Sequence, residues 1–121
     1  MKFNLSKEQK AAIYKVAEMM ANADGIVRPE EITGIEHALP LLGIADIKAA
    51  EMESKNMPPL ESLNIISKLE QEVKKYVSAC LGYVLSIDGD IDDSELALWR
   101  LLGELCDLPK MTNRQAISLL Q

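Results

Sequence analysis

Apolar residues recur along this chain at intervals of three and four, and nowhere do they alternate with polar ones over the length of a strand. The first periodic stretch is Ile13, Val16, Ala17 and Met20, with Lys7, Lys10, Lys15 and Glu18 mostly off that face. That is the signature of an amphipathic helix. Ser6 and Gln9 are spaced as its capping box, and Gly25 as the left-handed residue past its end. A second helix is expected to open at Pro29, which has no N–H to lose at a first helical position. Glu30 and Glu31 follow in the first turn, where the helix dipole favours carboxylates. Ile32, Ile35, Ala38 and Leu39 form its apolar face, Pro40 begins the exit, and Gly43 completes it. A shorter helix over 45–52 has Asp46 as its cap.

Residues 55–59, which include Pro58 and Pro59, are a connector inside one domain. Beyond them, Leu63, Ile66, Leu69, Val73, Val77, Cys80, Leu81 and Val84 run at helical spacing. One long helix or two would fit; a break near 67–71 keeps each piece within ordinary length. Gly89 ends this segment. Asp92 caps the next, whose stripe is Leu96, Trp99, Leu102 and Leu105, and Pro109 stops it. Thr112 and Gln115 cap a final helix. The expected fold is all-α, a single-domain bundle of six to seven helices over 1–121.

The pattern also repeats. Asp24-Gly25-Ile26-Val27-Arg28-Pro29-Glu30-Glu31 and Asp88-Gly89-Asp90-Ile91-Asp92-Asp93-Ser94-Glu95 both spell Asp-Gly-x-aliphatic-x-x-x-Glu, 64 residues apart by number. In that register Ile13 falls on Val77, Val16 on Cys80, Met20 on Val84, Ile35 on Trp99, Ala38 on Leu102 and Leu41 on Leu105. Two pseudo-symmetric helix-loop-helix repeats follow, over about 12–43 and 76–107.

Composition narrows the function classes. The net charge of −6 argues against nucleic acid, whose phosphates need a basic footprint, and against anionic lipid. It suits a basic protein partner or a cation, as well as plain solubility. Cys80 and Cys106 lie on apolar stripes, form no CxxC pair and have no histidine cluster beside them, so buried free thiols are expected rather than zinc ligands. With no apolar leader and no span of membrane length, a cytoplasmic protein without direct membrane insertion is expected. His37 is the sole histidine, with no nucleophile near it in sequence; no phosphate loop, nucleophile elbow or HExxH is present. No enzymatic activity is expected.

The turns pose the chemical question. Glycine supplies positive φ, Val27 or Ile91 is spaced from Ile32 or Leu96 as a hydrophobic staple, and Glu31 or Glu95 occupies the third helical position of a capping box. Asp24 and Asp88 are not explained this way, because each sits at the negative end of a helix dipole. A bond to loop N–H groups, a basic neighbour or a cation would compensate. Counted as EF-hand loops, both copies place an apolar residue at the first ligand position, Met20 or Val84, so a true EF-hand is not expected. The candidate metal ligands are Asp24, Glu31, Asp88, Asp92 and Glu95, for calcium, magnesium or manganese. The second turn, with five acids from Asp88 to Glu95, is the stronger of the two.

The duplicated Asp-Gly-x-aliphatic-x-x-x-Glu turn, followed by an apolar helix ending in Leu42-Gly43-Ile44 or Asp107-Leu108-Pro109, resembles the tellurite-resistance TerB family. It also resembles the TerB-like N-terminal domain of membrane-anchored J-domain proteins. The resemblance covers about 12–120. It implies about seven helices in two related halves, no enzymatic activity, a role in stress response or in assembly near the membrane, and metal binding suspected at positions that fall here on Asp24, Glu31, Asp88 and Glu95. Arg28 departs from the small capping residue usual there. The reading that follows is a non-enzymatic adaptor meeting another protein through an acidic face, and a homodimer is compatible with it. The alternative is a divalent-cation-binding regulator.

Overall fold

Ser6 and Gln9 do form the expected reciprocal cap. The Gln9 N–H donates to Ser6 Oγ at 3.1 Å, and the Ser6 N–H donates to Gln9 Oε1 at 2.8 Å. The computed structural model describes residues 3–23, 25, 29–87 and 93–120. These form α1 (Lys7–Ala21), α2 (Pro29–Leu42), α3 (Ile47–Ser54), α4 (Pro59–Ser67), α5 (Gln71–Ser86), α6 (Asp93–Cys106) and α7 (Asn113–Leu120). Among the described residues there is no strand. The break after α4 falls where length required it. Asp46 caps α3, accepting from the Ala49 N–H at 3.1 Å. Thr112 and Gln115 cap α7 reciprocally at 2.8 and 3.1 Å.

The duplication is visible in the helix boundaries. Adding 64 to 29–42 gives 93–106, the bounds of α6, and adding it to 7–21 gives 71–85, α5 less its last residue. Packing repeats as well: α1 lies against α3, and α5 against α7. The halves differ elsewhere. α2 lies more extensively on α5 than on its own hairpin partner α1, and α4 packs on α1 and α6. The core between them holds Ile13, Met20, Leu42, Ile66, Leu81 and Leu102, all at most 1 % exposed. Burying each such side chain contributes about 1.5–3 kcal/mol.

Three expectations are corrected. Pro40 lies inside α2, which continues to Leu42. Its ring sits in the last turn, where only one intrahelical N–H is forfeited. The helix then stops as a Schellman motif, with the Gly43 N–H on the Pro40 carbonyl at 3.1 Å and the Ile44 N–H on the Leu39 carbonyl at 3.1 Å. Ile32 and Leu105 are not core residues: they are 46 % and 57 % exposed. The helical stripe is narrower than the apolar pattern, because α2 and α6 each bury only the face that meets the rest of the bundle.

Two glycines are imposed by close approach. Gly43 has φ 105°, and a Cβ there would lie 2.5 Å from the Phe3 carbonyl oxygen. The Phe3 N–H donates to the Leu42 carbonyl at 2.9 Å, so the N-terminal segment seals this helix end. At Gly82 a Cβ would lie 2.7 Å from the Trp99 ring and 2.8 Å from the Ala116 Cβ. That glycine lets α6 and α7 settle onto α5.

Candidate functional site

The expected metal ligands separate into two groups. Asp24, Asp88 and Asp92 lie outside the described residues. Glu31 and Glu95 are both 1 % exposed, far more buried than a surface capping box requires. Each stands at the third position of its helix, where the dipole favours a carboxylate, and both have partners. Such burial of a charged group is sustained only by pairing or hydrogen bonding. Among the described residues no three His, Cys, Asp or Glu side chains form a group that could hold a metal ion.

The concave surface lies elsewhere, in two grooves. The N-terminal groove, about 810 Å³, runs between α1, α2 and the segment leading into α3. The C-terminal groove, about 440 Å³, runs between α5, α6 and the segment leading into α7. Both volumes are of the size that holds ligand side chains or small molecules. The grooves are copies of one another. In the 64-residue register Tyr14 corresponds to Ser78, Ile32 to Leu96, Ile35 to Trp99, Glu36 to Arg100, Asp46 to Lys110 and Ile47 to Met111. Each of these lines its own groove. Ile32, Ile35 and Ile47 stay apolar as Leu96, Trp99 and Met111, while Tyr14 becomes Ser78, Pro40 becomes Glu104, and Glu36 and Asp46 become Arg100 and Lys110.

In the N-terminal groove the buried Tyr14 is surrounded by carboxylates. Its hydroxyl is pushed up to about 12, first by burial and then by the charges of Glu51, Glu18 and Glu36. These acids come from α3, α1 and α2, and all three line the groove with Tyr14. With Asp46 they outnumber the groove's one cation, Lys48. The chemistry on offer is an apolar bed with an anionic wall. It suits a lysine or arginine side chain, whose stem lies on apolar surface while its head meets carboxylates or an aromatic face.

In the C-terminal groove Trp99 is held by its indole N–H, which donates to the Ser78 carbonyl at 3.2 Å. The Ser78 hydroxyl donates to the Pro109 carbonyl at 3.2 Å, tying the connector to α5. Trp99 is 7 % exposed, so the expectation of a core tryptophan holds, although the ring also floors the groove. Gly103 lines the groove and opens onto it: a Cβ there would meet nothing within 4 Å. The matching residue in the other half, Leu39, is completely buried.

The other polar candidates serve the fold. Cys80 and Cys106 are free and buried, as expected, and their thiols donate to the Ala38 and Leu63 carbonyls, both at 3.6 Å. Burial pushes Cys80 up to about 12. Burial raises Cys106 too, against the opposing charge of Lys74. Neither thiol is primed as a nucleophile. His37 is exposed and stacks on Tyr83 with ring centroids 5.6 Å apart. The grooves themselves were not foreseen. Their signal was present in the repeat register, where acids at 36 and 46 face bases at 100 and 110, and a leucine at 39 faces a glycine at 103.

No protein-family model and no curated protein matches the chain. A solved structure does: a protein of unknown function from Porphyromonas gingivalis, PG1108, at 36% sequence identity and a TM-score of 0.90. The match covers 98% of this chain and 91% of that one. None of the described helices is long and apolar enough to cross a membrane. With that identity held over nearly the whole of both chains, this protein belongs to the same family as PG1108.

Proposed function

We propose that the protein is a non-enzymatic adaptor whose N-terminal groove takes a basic segment of a partner protein. The observation that carries this reading is that Glu18, Glu36, Asp46 and Glu51 line one groove together with Tyr14. Three carboxylates from three helices beside an apolar bed are arranged for a cationic side chain, and the chain's net charge of −6 would steer such a partner inward. The resemblance to TerB-like proteins would place this adaptor in a stress response or in assembly near a membrane, with the protein acting from the cytoplasm. The test is fluorescence anisotropy with a labelled lysine- and arginine-rich peptide. Glu36→Lys with Glu51→Lys should weaken binding about tenfold or more, and rising salt should weaken it in the wild type. Unchanged affinity in the double variant would remove the proposal.

The second reading is a divalent-cation-binding regulator, favoured by the matched burial of Glu31 and Glu95. Buried carboxylates beside acidic turns are what a hard cation such as calcium, magnesium or manganese would use. It predicts heat on titration of any of these that disappears in Asp88→Asn with Glu95→Gln. A flat wild-type titration removes it.

A further inference from the structure

The two grooves share one ancestry of shape and have opposite rims. In the N-terminal groove the charged lining residues are Glu18, Glu36, Asp46, Glu51 and Lys48; in the C-terminal groove they are Arg100, Lys110 and Glu104. The inversion falls on matching positions, 36 with 100 and 46 with 110. The positive rim also stands out against a chain that is negative overall.

We propose that the C-terminal groove is a second and separate docking site, and that its occupant is an acidic peptide segment of another protein with one large apolar anchor. Charge complementarity sets the flanks of that segment. Arg100 is exposed and makes no ion pair with any described residue. Among the described residues Lys110 pairs with Glu104, at 3.2 Å, and both side chains are mostly exposed. An exposed pair of this kind is worth roughly 0–1 kcal/mol, so a partner carboxylate exchanges with Glu104 at little cost. The apolar bed sets the anchor: Leu96, Trp99, Leu108 and Met111 floor the groove, and the missing side chain at Gly103 leaves its volume open. Along α6 the lining runs from Leu96 to Glu104, about 12 Å at 1.5 Å per residue. That length fits two turns of an amphipathic helix or a few extended residues, as in other groove-binding segments. The protein is then a bivalent adaptor that bridges a basic segment and an acidic one.

Trp99 is the chain's only tryptophan and floors this groove, so its emission reports occupancy directly. The probe is a capped peptide, Glu-Asp-Leu-Phe-Asp-Glu, compared with Lys-Lys-Leu-Phe-Lys-Lys. The acidic peptide should change Trp99 emission saturably, and the lysine peptide should not. Arg100→Glu should weaken the acidic peptide about tenfold or more. Gly103→Leu should abolish binding by filling the bed while leaving the thermal midpoint unchanged or higher, because leucine is the better helix former. That variant separates occlusion from unfolding. No saturable change in the wild type, an equal response to both peptides, or undiminished affinity in Arg100→Glu and Gly103→Leu would overturn the proposal. The basic-peptide site is read by different variants, so either site can fail alone.

Discussion

Position 39 in the N-terminal half is a leucine with no exposed surface, and its counterpart, position 103, is a glycine facing open space. Position 43 is a glycine at φ 105° under the Phe3 carbonyl, and its counterpart, Asp107, stands at φ 55° with 90 % of its side chain exposed. Both differences have the same direction. In the N-terminal half these two positions are closed, one by packing and one by the chain's own first residues, and in the C-terminal half both are open, although each half keeps a groove of its own. A duplicated fold can thus keep its helix boundaries to within two residues and still diverge, because backbone geometry depends on caps and stripes while surface chemistry depends on single exposed positions.

The sharpest way to break this comparison is to alter the leucine and glycine pair. Leu39→Ala should cost about 2–5 kcal/mol in urea denaturation, the cost of emptying a filled core position. Gly103→Ala should instead gain about 0.5–1 kcal/mol, since it restores helix propensity and meets no neighbour. Effects of opposite sign at equivalent positions would hold the comparison; a loss at both would mean that Gly103 is packed after all.

A smaller effect separates the halves by pH. Tyr14 and Cys80 hold their protons more tightly in the folded chain than in the unfolded one. The stability they contribute is therefore complete below the ordinary thiol value of 9.0 and is lost as the pH rises towards 12. Denaturation midpoints should fall over that window. Tyr14→Phe should flatten the part above 10.0, the ordinary tyrosine value, whereas Ser78→Ala at the matching position should leave the pH profile's shape unchanged.

Much of the fold was legible from periodicity and punctuation. The capping pairs at Ser6 and Gln9 and at Thr112 and Gln115, the cap at Asp46, and the break before Gln71 are local decisions, and local residues make them. Ile32 and Leu105 were misplaced because an apolar residue at core spacing does not say whether a second helix reaches it. Pro40 was read as the beginning of the exit, yet the helix runs two residues further before Gly43 ends it, because a proline costs little so near a helix end. Glu31 and Glu95 were placed correctly along their helices, but their burial is a tertiary outcome. Of the other metal candidates, Asp24, Asp88 and Asp92 lie outside the described residues. The grooves depend on which helix crosses which, and that is a tertiary outcome.

The central claim is that charge at two matched pairs of positions decides what each groove accepts. It is tested most directly by exchanging them in one protein: Glu36→Arg and Asp46→Lys together with Arg100→Glu and Lys110→Asp, with Trp99 emission as the readout. The account predicts that the acidic peptide no longer perturbs Trp99 and that the lysine peptide now does. Continued response to the acidic peptide alone would contradict it.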